Sequence, residues 1–327
     1  MARLVFMGSP ALAVPTLDAL AGEHELLAVY TQPDKPAGRG RKLTAVPVKA
    51  WADERGVPVY QPLSLRKEPD AIEALRALRP DVIVVVAYGL ILPPAVLDLP
   101  PCGCLNLHAS LLPKYRGAAP IPAAILAGEA ETGVTVMRMD AGVDTGPIYA
   151  QAREPIRPDD TSVTLGVRLA ELGARLMLHT LPKILHRDIQ PIEQDHAQAT
   201  LSPKIDKDDG RIDWSRPALH IDRMIRAYTP WPGAATHWQG QQLRIVRASV
   251  NEYAANQRIG ESANVGAVSR RRPGEVIQIG NSGAGVVTGD GVLELREVQL
   301  AGKRAMPIEE FLRGHPKFIE SVLTAEG

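Results

Sequence analysis

The sequence predicts an α/β protein in two parts: an N-terminal domain built on a mainly parallel sheet with helices, then a smaller β-rich domain expected to be a barrel. Three observations predict it. Short apolar runs alternate with segments of helical spacing up to about residue 185, which implies strands and helices in turn. A polar stretch without a clear period follows, and beyond it short alternating runs are separated by glycines. A chain of 327 residues also exceeds one core of ordinary size, so two domains are expected, at 1–188 and 208–327 with a linker at 189–207.

The elements follow in order. RLVFMG (3–8) reads as a buried strand and PALAVPTLDALAG (10–22) as a helix. ELLAVYT (25–31) is a second strand, and VKAWADERG (48–56) and AIEALRALRP (71–80) are helices. DVIVVVAYG (81–89) is a continuous apolar run ended by glycine, as expected of a strand covered on both faces. CGCLNLH, TGVTVMRM and GPIYAQ supply further strands, and 161–185 forms a long amphipathic helix with Thr161 or Ser162 as its cap. Residues 186–210 suit a linker. A helix is predicted from Pro217 to Ala227, then strands at QLRIVRASV, GEVIQIG, GAGVVTG and GVLELREVQL.

Composition narrows the function. Hydrophobic residues make up 45% and charged residues 23%, which suits a packed globular chain and not a disordered one. Lys plus Arg and Asp plus Glu are both 37, so no global field calls for nucleic acid; only a local concentration of charge could. Cys102 and Cys104 stand too close for an easy disulfide, and no further cysteine completes a zinc set. They read as small strand residues in a reducing compartment, and no metal is expected. No apolar run reaches membrane-spanning length, and the apolar part of MARLVFMGSP is short for a secretory signal, so a cytoplasmic protein without membrane contact is expected.

In an open α/β sheet the ligand crevice lies at the carboxyl ends of the strands. Three stretches fall there: Gly8-Ser9-Pro10, the turn from Tyr88 to Pro93, and LNLHASLLPKYRGAAP (105–120). The first holds a single glycine where a dinucleotide fingerprint needs three, and there is no phosphate-binding lysine loop. In the third, Asn106 and His108 stand two residues apart, so their side chains share a face of the strand. An amide donor beside a group that can give or take a proton near neutrality could hold a carbonyl oxygen as it becomes negative. An isolated pair of this kind is also compatible with a purely structural role. A carboxylate beside His108 would orient the ring and stabilise an imidazolium during proton transfer. Asp140 and Asp144 are both candidates, and each could instead cap its own turn. Ser110 has no nucleophile-elbow setting, so the set suits direct attack of one substrate on another at a carbonyl.

NLHASLLPKYRGAAPI followed by ETGVTVMRMDAGVDTGPI resembles the folate-dependent formyltransferase family, whose motif combines Asn, His, a Ser-Leu-Leu-Pro loop and a later Asp-Thr-Gly. TQPDKPAGRGRKL (31–43), VVVAYGLILP (84–93) and AYTPWPGA (227–234) resemble the branch of that family that acts on initiator tRNA, so the likeness covers nearly the whole chain. It implies a Rossmann-like catalytic domain followed by an OB-like barrel. It implies that Asn106, His108 and Asp144 are catalytic, with Asp144 chosen because it occupies the Asp-Thr-Gly position. Ser110, Leu111, Leu112 and Pro113 would line the folate site, and Tyr88, Gly89, Leu90, Ile91 and Leu92 would border the pterin. The formyl donor would be 10-formyltetrahydrofolate, and the acceptor the α-amino group of methionine carried by initiator tRNA. The chain is expected to act as a monomer.

The residues themselves bear on the RNA partner. From Asp34 to Lys49 five basic residues, Lys35, Arg39, Arg41, Lys42 and Lys49, stand against one acidic residue. Gly38 and Gly40 permit a loop there that could order against phosphates, although such charge runs are often plain solvated surface. The resemblance implies a loop that enters the acceptor stem, with Arg39 singled out. From Arg216 onward 14 basic residues face 11 acidic ones, with Arg270, Arg271, Arg272, Lys303 and Arg304 as candidate phosphate contacts. Rival readings are another acceptor on the same catalytic domain, an amino sugar or a purine precursor, and a non-catalytic folate- or RNA-binding protein. The basic loop and β-rich domain argue against the first, and the complete Asn/His/Asp set against the second.

Overall fold

The computed structural model describes residues 1–37, 42–251 and 271–325. By internal contacts the chain forms two compact units. The first comprises Met1–Ile121, Ala130–Ile156 and Thr164–Lys204; the second comprises Pro122–Glu129, Arg157–Val163 and Ile205–Gly327.

The first unit is organised by a seven-stranded sheet. Its strands β1 (Arg3–Gly8), β2 (Glu25–Tyr30), β5 (Val59–Tyr60), β6 (Val82–Val86) and β7 (Cys104–His108) run parallel, and β9 (Glu131–Arg138) and β10 (Ile148–Pro155) complete it antiparallel. The spatial order is β10-β9-β7-β6-β1-β2-β5. The chain builds outward from β1 to β5 on one side, then crosses to β6 and β7 on the other, so the switch point lies between β1 and β6. Close approach at that point requires Gly8, where a Cβ would stand 2.7 Å from the Val86 carbonyl oxygen.

In this unit lie α1 (Val14–Glu23), α2 (Pro47–Arg55), α3 (Pro69–Leu78), the single turn α4 (Pro94–Leu97) and most of the long α6 (Ser162–Leu185), whereas most of α5 (Pro120–Ala127) belongs to the second unit. The helix expected over 10–22 divides into a 3-10 turn at Ala11–Ala13 and α1, with Pro15 in the first turn where its missing N–H costs nothing. α3 ends before the expected Pro80, because Arg79 takes a left-handed φ of 49° and a residue before proline is disfavoured in a helix. β6 is buried at every position, as its apolar run predicts, and stops where Ala87 turns to φ 49°. The basic segment forms a small hairpin, β3 (Lys35–Ala37) against β4 (Lys42–Thr44), and Lys49 lies in α2. A further short pair joins β8 (Arg116–Gly117) to β11 (Leu201–Ser202) in parallel.

In the second unit α7 (Ala218–Ala227) begins one residue after its predicted start, with Pro217 at its N-cap. An antiparallel sheet contains β12 (Ala234–Trp238), β13 (Gln241–Val250), β14 (Val276–Ile279), β15 (Gly283–Val287), β16 (Val292–Leu300) and β17 (Met306–Pro307), followed by α8 (Ile308–Gly314). The order β12-β13-β16-β15-β14 leaves β12 and β14 at opposite ends. The segment after α8 closes the gap by bridging His237 to Thr324 and Glu275 to Val322, so both edge strands are paired and the sheet becomes a barrel. Register shifts either side of Arg247 bend the long β13, as closure requires. Trp238 anchors the interior edge-on to Phe311 at 5.8 Å and Phe318 at 5.4 Å. Among the described residues no helix is long and apolar enough to cross a membrane.

Candidate active site

β7 is buried along its whole length yet carries two polar side chains, so those side chains need partners inside the protein. Strand alternation divides the work. Leu105 and Leu107 point to one face, and Leu107 packs where Gly173 of α6 leaves room: a Cβ on Gly173 would stand 2.6 Å from the Leu107 side chain. Asn106 and His108 point to the other face, over which the loop between β9 and β10 folds.

That loop delivers one carboxylate. Asp144 Oδ1 accepts from Asn106 Nδ2 at 3.2 Å, and its Oδ2 stands 3.5 Å from His108 Nδ1 and accepts from the Gly117 backbone N–H at 2.9 Å. Asp144 adopts φ 51°, a left-handed conformation that Asp tolerates better than most residues. Asp140 does the other job left open by the sequence: it accepts from Gly142 N at 3.0 Å and Thr145 Oγ1 at 2.7 Å, capping its own turn. The second ring nitrogen of His108, Nε2, lies 2.9 Å from the Tyr115 carbonyl oxygen. A carbonyl can only accept, so this contact places a proton on Nε2 and turns Nδ1 toward Asp144. Asn106 and His108 are 8% and 7% exposed, which makes this a nearly dry constellation.

The segment between β7 and β8 is held from behind. Ser110 is fully buried and its hydroxyl donates to the Lys114 carbonyl at 2.6 Å. Thr135 Oγ1 donates to the Ser110 carbonyl and accepts from Leu112 N at 3.2 Å, while Gln151 Nε2 donates to the Leu112 carbonyl at 2.8 Å. Leu112 is buried and joined to Pro113 by a cis peptide; Leu111 and Pro113 are half-buried. Beyond the carboxyl end of the neighbouring β6, Tyr88 and Leu92 are buried in the sheet-side core and Leu90 packs against it. Burial pushes the Tyr88 hydroxyl well above the usual tyrosine range. Gly89 is exposed at φ 79°, and Ile91 is 71% exposed, unusual for so large an apolar side chain.

Several site groups carried no sequence signal. Gly117 N–H and Tyr115 C=O are backbone atoms, which no residue type announces. Gln194, from the stretch read as a linker, donates through Nε2 to the carbonyls of Asp144 at 2.9 Å and Gly146 at 2.7 Å. Its Oε1 accepts from Arg116 Nε at 3.1 Å and Nη2 at 2.6 Å, and Arg116 Nη2 also meets His196 Nδ1 at 3.1 Å.

The basic candidates separate by partner. Arg271 pairs with Glu275 at 3.1 Å, Arg304 pairs with Glu310 at 2.7 Å, and Lys303 is exposed beside it. Arg272 is exposed, with its backbone N–H on Glu275. Lys49 is held by Asp53 at 3.0 Å and Asp34 at 3.6 Å. Lys35 and Lys42 lie on the β3-β4 hairpin, and Arg39, Arg41 and Arg270 fall outside the described residues.

Comparison with known proteins gives the family of the chain. The chain belongs to the formyl transferase family: residues 2–181 match its formyl transferase model and residues 204–316 match the formyl transferase C-terminal domain. A methionyl-tRNA formyltransferase from Hydrogenovibrio crunogenus is 49% identical over 310 residues, covering 94% of this chain and 95% of the relative. A methionyl-tRNA formyltransferase from Magnetococcus marinus is 48% identical over 314 residues, covering 96% and 95%. Among solved structures, HypX from Aquifex aeolicus in complex with tetrahydrofolic acid shares the fold, with a TM-score of 0.61 at 19% identity over 98% of this chain and 48% of that one.

Proposed function

We propose that this chain transfers the formyl group of 10-formyltetrahydrofolate to the α-amino group of methionyl-initiator tRNA, giving N-formylmethionyl-tRNA for translation initiation. The observation that carries the chemistry is the convergence of Asn106, His108 and the Gly117 N–H on the Asp144 carboxylate. The acceptor follows from the relatives, whose name specifies methionyl-tRNA and which align over nearly the full length of both chains.

The residues act in sequence. The free amine attacks the formyl carbon, and the carbonyl oxygen becomes an oxyanion. Asn106 spends one amide hydrogen on Asp144 and offers the other to that oxygen, while a protonated His108 stabilises the same charge. Asp144 takes the proton lost by the amine, directly or through a water. The carbon–nitrogen bond to the folate then breaks, and His108 supplies the proton that the departing nitrogen needs. A site already desolvated around Asn106 and His108 makes each of these charge interactions stronger than in water.

The donor fits the carboxyl edge of the sheet. Ser110 spends its hydroxyl on the loop, so it shapes the folate site, and Leu111 and Pro113 are the side chains of that stretch left to meet the ligand. Gly89 and Ile91 offer exposed, uncharged surface to a pterin, with Tyr88, Leu90 and Leu92 forming its base. For the RNA, Lys35, Arg39, Arg41 and Lys42 supply the concentrated charge, and Arg270 to Arg272 with Lys303 and Arg304 add contacts.

The test is acceptor choice. The pure protein is mixed with 10-formyltetrahydrofolate and one of methionyl-initiator tRNA, methionyl-elongator tRNA or a nucleotide-linked amino sugar. Formylation confined to the initiator tRNA is expected; a faster reaction with the amino sugar would overturn the assignment of acceptor.

A further inference from the structure

We propose that Gln194 and Arg116 are positioning residues that hold the Asp144 carboxylate in its working orientation, a role that rests on the reading of Asp144 as the base. Asp144 is a non-glycine residue at positive φ, so its backbone needs outside support to persist there. Gln194 gives that support from a buried position, 5% exposed: both hydrogens of its amide are spent across the turn, one on the Asp144 carbonyl and one on the Gly146 carbonyl.

The direction of that amide is not left to chance. Turned over, it would aim its oxygen at two carbonyl oxygens. Arg116 forbids the turn, because Nε and Nη2 both donate to Gln194 Oε1 and guanidinium nitrogens can only donate. Arg116 is itself 6% exposed and is fixed in β8, where its backbone N–H donates to the Thr200 carbonyl at 2.9 Å. The neighbouring residue in β8 is Gly117, whose N–H binds Asp144 Oδ2. One short strand therefore grips Asp144 twice: its carboxylate through the Gly117 backbone, and its main chain through Arg116 and Gln194. The residue just before this strand fixes the ring beside it, since the Tyr115 carbonyl on His108 Nε2 also accepts from Ser202 Oγ at 3.1 Å.

Gln194→Glu separates the two halves of this linkage. A carboxylate at 194 keeps and strengthens the pairing with Arg116, which preserves the fold, but presents acceptors to the Asp144 and Gly146 carbonyls and releases the turn. A misplacement of about 1 Å near reacting groups can cost about 100-fold in rate. The expected result is a kcat lowered about 10- to 100-fold with little change in KM for either substrate. Its effect must vanish when Asp144 is already disabled, so in an Asp144→Asn background Gln194→Glu is expected to produce no further loss. Gln194→Met, which removes the amide without adding charge, carries the same cycle if the glutamate variant folds poorly by circular dichroism. An unchanged kcat, or an equal loss in both backgrounds, overturns the proposal. If instead Asp144→Asn alone leaves turnover intact, it is the reading of the base that fails.

Discussion

Replacing Asp144 with Asn alters charge and hydrogen-bond polarity with almost no change of volume, and the geometry sets what it should cost. The carboxylate faces Gly117 N–H at 2.9 Å, Asn106 Nδ2 at 3.2 Å and His108 Nδ1 at 3.5 Å. The first two are donors whatever the pH, and an Asn side chain has only one accepting atom to offer them. If that oxygen stays with Gly117, the new NH2 confronts the Asn106 NH2, and Asn106 must turn its own oxygen inward. The substitution thus removes the base and reverses the amide that holds the oxyanion. Loss of a general base costs about 10²- to 10⁴-fold and loss of one oxyanion donor about 10²- to 10³-fold. The two act in one step and do not add fully, so a fall of roughly 10³- to 10⁴-fold is expected, about 4–5.5 kcal/mol at about 1.4 kcal/mol per decade. Single-turnover formylation with enzyme in excess isolates the chemical step, and a separate titration follows donor affinity, which should change little. A single-turnover rate within about tenfold of the parent would refute the assignment of Asp144 as base and the oxyanion argument with it.

Three further outcomes follow from particular residues. Binding of initiator tRNA should weaken steeply with salt, and Arg39→Ala should lower the log–log salt slope by about one and cost more than Arg271→Ala or Arg304→Ala, whose guanidinium groups already have carboxylate partners; a salt-independent affinity would contradict the phosphate contacts. Burial pushes the Cys104 thiol up to about 12, so roughly one thiol in 10⁴ is ionised at pH 8, and iodoacetamide should label the partly exposed Cys102 well ahead of it; equal labelling by mass spectrometry would show that Cys104 is not shielded. Gly133→Ala puts a Cβ 2.1 Å from the Ala152 carbonyl oxygen and should destabilise by about 1–3 kcal/mol or more, whereas Gly22→Ala in α1 meets nothing within 4 Å and should stabilise by up to about 1 kcal/mol; urea midpoints that move in the same direction would defeat the packing argument.

What the sequence made legible was whatever a repeating pattern carries. The buried run of β6, the helical spacing of α6 and α7 and the alternation of β13 and β16 were all visible, because burial on one face or two imposes a period on residue type. β12 and α8 were not read: five residues, AATHW, and seven, IEEFLRG, are too few for a period to stand out. The barrel's closure was hidden for another reason, since the last segment pairs through isolated bridges at 322 and 324 and has no strand composition to announce it. In the site, alternation brought Asn106 and His108 to one face; spacing left Asp140 and Asp144 open, and only the resemblance to the Asp-Thr-Gly motif chose between them. Gln194 could not be seen at all, because a glutamine in a polar stretch has the same composition whether it faces water or a buried turn.

These limits share a cause that bears on how site and fold depend on each other. A strand covered on both faces is stable in proportion to the apolar surface it buries, and β7 gives up two of its five buried positions to Asn106 and His108. A buried polar group left without a partner costs about 1–3 kcal/mol, so the fold cannot tolerate that pair unless something folds over it. Asp144 satisfies both side chains at once, Gly117 and Tyr115 supply the remaining backbone partners, and the segment around Gln194 fixes the turn that brings Asp144 in. The constellation assigned to formyl transfer is therefore also the solution to a burial problem. Residues that solve only the second half of that problem, such as Arg116 and Gln194, should then reveal themselves in rate before they do so in stability, because substitutes can keep their pairing with each other while losing their hold on Asp144.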